Sequence, residues 1–397
     1  MRDTFLAFSP PSLGQEEIDE VVDTLRSDWI TTGPKVKRFE QDFAAYTGAP
    51  AALAVSSATD AMLIGLAALG IGPGDEVITT PMTFCSTVHV IEHLGARPVL
   101  VDVEPDTLTI DPVQIERALT PRTKALLPVH LYGHPCDMDR LLALAQQHHL
   151  AIVEDAAHAF PTRYKGRLIG SVPFAQDKAA GGVRDLTAFS FYATKNLTTA
   201  EGGMLTGDPE TIEQARLWSL HGMSRDAYKR YSAEGSWYYE VVLPGYKCNM
   251  TDIQAALGVQ QLRKIAGFQA RRREIVQRYH AAFTSLPELQ VPTERADAEH
   301  AWHIYALRLN LERLAIDRAR FVEELKQRNI GTSVHFIPIH LHPYYRDKYG
   351  WRPEDFPIAY REYQRLISLP MYPRLSDQDA ADVIEAVCDV VEKYRAG

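Results

Sequence analysis

The sequence predicts an α/β fold, with a mostly parallel central sheet sandwiched by helices and a smaller C-terminal α+β unit behind it. Three observations carry this reading. Between about residues 50 and 205, short apolar segments rich in β-branched and aromatic residues alternate with helical periodicity. Strands that alternate with helices are joined by right-handed crossovers, which makes the sheet parallel and buries both its faces. Finally, a long helical stretch from Thr251 to about Phe283 leads out of this region into shorter elements. The division therefore falls at residues 1–259 for the large unit, N-terminal helix included, and 260–397 for the small one.

Taken in order, the amphipathic stretch Gln15–Arg26 reads as a first helix that can pack on either unit. "TDAMLIGLAALG" (59–70) and "DMDRLLALAQQHH" (137–149) repeat apolar residues at i, i+3 and i+4, which is helical spacing. The strand candidates are "EVITT" (76–80), "RPVLVDV" (97–103), "KALLPVH" (124–130), "LAIVED" (150–155) and "LTAFSFY" (186–192). In the small unit, "AWHIYALRLN" (301–310) and "GTSVHF" (331–336) read as strands around a helix at 316–329. A last helix opens at Ser376, with Asp379 three residues on as in a capping box.

Composition narrows the function classes. The net charge is -9 and no block of five or six like charges occurs, so no footprint for nucleic acid is present. The basic runs Lys35–Arg38 and Arg271-Arg272-Arg273 read as solvated helix faces. No apolar run reaches the roughly 18 residues of a membrane span, and Met1-Arg2-Asp3-Thr4 opens no signal peptide. Cys85, Cys136, Cys248 and Cys388 stand far apart without CxxC spacing, which fits a reducing cytoplasm. His335, His340 and His342 are closely spaced, but no carboxylate or cysteine joins them, so no metal is expected.

Three features carry chemistry. In "VSSATDAM" small residues precede a helix, and Ser57 or Thr59 suits its cap. A helix start is either plainly capped in this way or serves as an anion site, because its first N–H groups are unpaired. Neither a Walker A loop nor GxGxxG is present. In "VEDAAHAF", Asp155 ends an apolar strand, where it caps the next helix or meets a protonated ring nitrogen, with His158 in reach of the same ligand. In "SFYATKNLTTAEGG", Lys195 follows another strand. Ligands of parallel sheets bind at the carboxyl ends of strands, where Phe84, Asp155 and Lys195 all fall. A phosphate-ready helix, an acid and an amine are the minimal parts for holding pyridoxal 5′-phosphate (PLP), with Phe84 able to stack on the ring.

On these stretches, together with "SDWITTGPKVKRFE" (27–40), "GDEVITTPMTFCST" (74–87), "PGYKCNMTDIQAALG" (244–258), "GIGTSVHF" and "ISLPMYP", the sequence resembles the DegT/DnrJ/EryC1/StrS sugar aminotransferases, PLP enzymes of fold type I. The resemblance is close to the branch of UDP-4-amino-4-deoxy-L-arabinose aminotransferases. The resemblance implies Lys195 as the Schiff-base and proton-moving lysine, Asp155 at the pyridine nitrogen, and His158 near the phenolic oxygen. It further implies Ala58, Thr59 and Ser190 at the phosphate and Phe84 on the ring. The stretch Tyr246–Asn249 reaches the phosphate from a second subunit, through Lys247 or Asn249, so the expected assembly is a homodimer with shared active sites. Thr31 and Thr32 match the sugar side of the pocket.

The expected substrates are a nucleotide-linked keto sugar, most simply a 4-keto sugar, and glutamate as amino donor. A sugar dehydratase, an amino-deoxy aromatic synthase and a non-catalytic PLP-binding regulator are the alternatives. In the related dehydratases a histidine stands at the position of Lys195, which argues against the first. Two departures bear on the sugar. "HFIPIHLHPYY" (335–345) resembles the wider family more than the arabinose branch. The stretch Gly170–Asp185 is longer than that branch leads one to expect, and its Gly/Ala content suits a loop bordering the substrate pocket.

Overall fold

The computed structural model describes residues 2–171, 182–223 and 238–396. Most of the stretch 170–185 therefore lies outside the described residues. Seven strands form the central sheet: β1 (Ala51–Val55), β2 (Glu76–Thr79), β3 (Arg97–Leu100), β4 (Thr123–Leu126), β5 (Ala151–Asp155), and two more after the short β6 (Arg163–Tyr164) and β7 (Arg167–Leu168). Those two are β8 (Asp185–Ser190) and β9 (Gly203–Gly207), and the order is β1-β9-β8-β5-β4-β2-β3. All pairings from β8 to β3 are parallel, whereas β9 runs antiparallel to both its neighbours. The five strands read from the sequence are present within a few residues. Strands β1 ("AALAV") and β9 ("GMLTG") were not read, because Ala and Gly carry little strand signal.

The helix Gln15–Arg26 (α1) packs on the long helix Asp252–Phe283, where Glu17 meets Gln261 and Lys264 at 2.8 Å. That long helix crosses the 259/260 division unbroken. Its Ala255, Val259, Leu262 and Ile265 belong to the core under the sheet, and its Ile275, Tyr279 and Phe283 to a second core. The second core surrounds a small antiparallel sheet of β10 (Leu289–Gln290), β12 (Tyr305–Leu309) and β13 (Leu366–Leu369), while β11 (Ala298–Glu299) pairs with β6. The final helix, Asp377–Tyr394, opens with the expected box: Asp379 N–H donates to Ser376 Oγ, and Ser376 N–H to Asp379 Oδ2, both at 3.0 Å.

Two expectations are corrected. The segment "GTSVHF" forms no strand. It makes one isolated bridge, Ser333 to Ser368, and then turns so that His335 and Phe336 reach the main cavity. Arg272 is not solvated. It is buried, and its guanidinium donates to the carbonyls of Trp302 at 3.1 Å and Met371 at 3.0 Å. Its neighbours Arg271 and Arg273 do pair at the surface, with Asp377 and Glu299. Apolar periodicity carries no signal for a buried arginine whose partners are carbonyls of distant loops.

Candidate active site

Helix α3 (Ala58–Ala68), the next in chain order after α1 and α2 (Pro34–Thr47), starts at the end of β1. Its N-cap, Ser57, accepts from Asp60 N–H at 3.0 Å, which leaves the amides of Ala58 and Thr59 without a helical partner. Gly203 brings β9 against this start: a Cβ there would stand 2.4 Å from the Ser57 carbonyl carbon and 2.7 Å from Ala58 N. Ser190 is paired with Gly203, so its hydroxyl arrives beside the same helix start. A backbone cradle, a hydroxyl and a helix dipole converge where an anion is favoured.

Asp155 ends β5 and is buried. Thr87 Oγ1 donates to its Oδ2 at 2.7 Å, and Ala157 N–H donates to its Oδ1 at 3.1 Å. Thr83 and Thr87 share a further hydrogen bond of 2.7 Å. Burial pushes the Asp155 carboxyl above the ordinary range, while the Thr87 hydroxyl, the Ala157 amide and Lys195 pull the other way. Both donors are neutral, and no cation of the described residues forms an ion pair with Asp155. Such a carboxylate is completed by a cationic ligand atom. The sequence reading missed Thr87, which stands in the first turn of the helix Ser86–His93 and whose partner Asp155 is far away in sequence.

Lys195 stands in the turn after β8, its N–H bonded to the Tyr192 carbonyl at 2.9 Å. Its amine is held down to about 8, because burial disfavours the charged form more than Asp155 favours it. In the cofactor-free protein, acylation of Lys195 by acetic anhydride is therefore expected to rise through a midpoint near 8. The fraction of neutral amine grows about tenfold between pH 7 and pH 9. Peptide mapping of labelled protein would show this, and a midpoint like that of exposed lysines would count against the buried, functional amine.

His158 Nδ1 accepts from Tyr132 N–H at 3.2 Å. Burial and the nearby Lys195 hold its pKa well below the ordinary value, so the ring is neutral and carries its proton on Nε2. His303 and His335 also face this space; their rings are held by Asn196 Oδ1 at 3.3 Å and Ser368 Oγ at 2.9 Å. Phe84 is largely exposed at the mouth, 5.7 Å from Phe336 between ring centres.

All these groups line one cavity of about 380 Å³, which gathers Ala58, Thr59, Phe84, Asp155, His158, Ser190 and Lys195. His303, His335 and Phe336, which the sequence reading did not assign to the site, line it too. Four expected residues stand outside its walls. Thr32 is held by Asn249 Nδ2 at 2.6 Å and donates to the Met250 carbonyl at 2.5 Å. Lys247 is exposed and hydrogen-bonded to Asn249, whose backbone bridges to Val55. Thr31 is exposed, with its carbonyl accepting from Asp252 N–H at 2.9 Å. His340 is buried against Phe356, away from the cavity lined by His335, and no group of three potential metal ligands occurs among the described residues.

Comparisons with known proteins point to one family. The model of the DegT/DnrJ/EryC1/StrS aminotransferase family matches residues 11–388. The spore coat polysaccharide biosynthesis protein SpsC of Bacillus subtilis is 53% identical over 393 residues, covering 98% of both chains. Spr1654 of Streptococcus pneumoniae, solved in PMP and PLP forms, superimposes with TM-scores of 0.90 and 0.89 at 37% identity, over 98% of this chain and 99% of that one. Helicobacter pylori PseC, an aminotransferase involved in the biosynthesis of pseudoaminic acid, gives a TM-score of 0.88 at 26% identity, covering 98% and 100%.

Proposed function

The chain belongs to the DegT/DnrJ/EryC1/StrS aminotransferase family, and from that premise we propose that it moves an amino group from glutamate to a nucleotide-linked keto sugar, most simply a 4-keto sugar. That it is a PLP-dependent sugar aminotransferase follows from the family and from structural relatives solved with the cofactor. One observation carries the site assignment. An amine of lowered basicity, a buried carboxylate without a cation and a free helix start meet in a single cavity. The names of its relatives, in polysaccharide and pseudoaminic acid biosynthesis, support an amino sugar as product.

Bound PLP supplies an electron sink for the carbon that loses its proton. The remaining work falls to side chains. Ala58, Thr59 and Ser190 would hold the phosphate, and Asp155 would keep the ring nitrogen protonated, its two oxygens fixed by Thr87 and Ala157. Lys195 Nζ, half neutral near pH 8, takes and returns the substrate proton. His158 Nε2–H would donate towards the ring oxygen, and Phe84 would cover the ring face and shield it from water. Lys195 also weighs against a sugar dehydratase, which has histidine there by resemblance.

The assay uses purified protein, glutamate and a panel of nucleotide-linked 4-keto and 3-keto sugars, with 2-oxoglutarate as readout. Turnover with a 4-keto member is expected. No 2-oxoglutarate from any member would remove the reading.

A cytoplasmic homodimer completes the proposal, with Lys247 or Asn249 supplied across the interface. Exposed Trp29, Ile30, Val241 and Val242 support a second copy, because a monomer gains nothing by leaving such apolar groups in water. Two inactive parents, Lys195→Ala and the double variant Lys247→Ala/Asn249→Ala, are expected to regain activity on mixing. In each heterodimer one site is intact and the other collects both defects, so activity near half the wild-type value should return per heterodimer, about a quarter for a fully exchanged equal mixture. No recovery after confirmed subunit exchange would assign each site to one chain.

A further inference from the structure

Two histidines near Lys195, His303 and His158, have protonation patterns set by neighbours that leave no choice. Asn196 Nδ2 donates to the Ala301 carbonyl at 2.8 Å, which turns Asn196 Oδ1 towards His303 Nδ1 at 3.3 Å. An amide oxygen only accepts, so His303 Nδ1 carries the proton and Nε2 presents a lone pair. His158 is the reverse case, because Tyr132 N–H occupies its Nδ1. The Tyr132 backbone spaces the pair: its carbonyl accepts from His303 N–H at 3.0 Å, and the ring centres stand 4.6 Å apart. From behind, Arg272 holds the carbonyls of Trp302 and His303. Burial, His158 and Lys195 all keep His303 neutral.

Neither Nε2 makes a hydrogen bond among the described residues, and both rings line the cavity. The His303 lone pair is therefore a neutral acceptor built into the cavity wall. It needs an O–H or N–H from a ligand. Phosphate and the carboxylates of the amino donor offer only acceptor oxygens, the amine of the amino donor is committed to the cofactor carbon, and the ring oxygen of the cofactor would be met by the His158 donor. A hydroxyl of the sugar remains.

We propose that His303 is a specificity-determining residue that accepts an O–H of the keto sugar at Nε2, on a carbon near the reacting one. This rests on the keto-sugar reading above. A site that hydrogen-bonds a substrate hydroxyl rejects the analogue lacking it, because its polar group is left unpaired.

The test pairs keto-sugar nucleotides that differ by one hydroxyl beside the keto carbon. Wild type is expected to prefer the hydroxylated acceptor in kcat/KM by ~100-fold or more. In His303→Phe this preference should fall below ~10-fold, with the loss concentrated on the hydroxylated acceptor rather than on the half-reaction with glutamate. His303→Gln, which retains an acceptor oxygen, should recover part of it. Independently of activity, nitrogen NMR of histidine-labelled protein should show His303 protonated on Nδ1 and His158 on Nε2.

An unchanged preference in cofactor-loaded His303→Phe overturns the proposal, and so does His303 protonated on Nε2. An equal loss on both acceptors and on glutamate, with a shifted visible absorbance of the bound cofactor, overturns it in favour of a contact to the cofactor. If His303→Phe does not fold, His303→Gln and the NMR assignment decide alone. Absence of turnover by wild type on every keto sugar would instead bring down the reading beneath it, which separates the two failures.

Discussion

Lys195→Ala is expected to give a folded, colourless protein whose transamination falls by about 10⁴-fold or more, equivalent to about 5.5 kcal/mol at the transition state. Among the described residues the side chain is the one amine lining the cavity and makes no hydrogen bond, and burial holds it near 8. Nothing nearby can take over. His158, His303 and His335 are all held below the ordinary histidine value and are fixed by their own hydrogen bonds.

Stability should move little or improve. A lysine whose folded pKa is depressed binds fewer protons than in the unfolded chain between about 8 and its ordinary value near 10.5. The wild-type protein therefore gains stability as pH rises through that window and carries the full desolvation cost at pH 7. The variant should lose this slope. Visible spectra, single-turnover assays and denaturation at pH 7 and pH 10 would check the three parts together. Wild-type turnover by the alanine variant would dismiss Lys195 as the catalytic residue.

Asp155→Asn is the second large effect. Turnover should fall by roughly 10²–10⁴-fold, because the ring nitrogen loses the carboxylate that keeps it protonated. The fold should persist, since an amide has nearly the same shape and its oxygen can still accept from Ala157 N–H or Thr87. Here the linkage has the opposite sign. Burial raises the folded pKa of Asp155, so the cofactor-free protein loses stability as pH rises from the unfolded value near 3.9 through the raised one. The cofactor-free asparagine variant should therefore melt at or above the wild-type temperature at pH 7, and cofactor should stabilise it less than it stabilises wild type. Unchanged turnover would reduce Asp155 to a helix cap.

The parallel part of the sheet was legible because β-branched runs alternate with helical periodicity, and both signals are local, whereas the order of its strands was not. Asp155 and Lys195 stood out for the same reason, as charged groups at the ends of apolar strands. Thr87, His303 and Phe336 did not, because their role depends on partners far away in sequence: Thr87 on Asp155, His303 on Asn196 and Tyr132, Phe336 on Phe84. The sequence gives no reason to set such pairs side by side.

By itself, then, the sequence determined an α/β chain with a helix start, an acid and an amine at the carboxyl edge of its sheet, since strand alternation forces that edge to exist. Only the tertiary structure decided which other groups reach it. The long helix carries Arg272 to the carbonyls of Trp302 and His303, and the turn at Leu131–Gly133 directs the Tyr132 amide to His158. Hydrogen-bond direction sets which ring nitrogen keeps its proton, and direction exists only once the partners are packed in place.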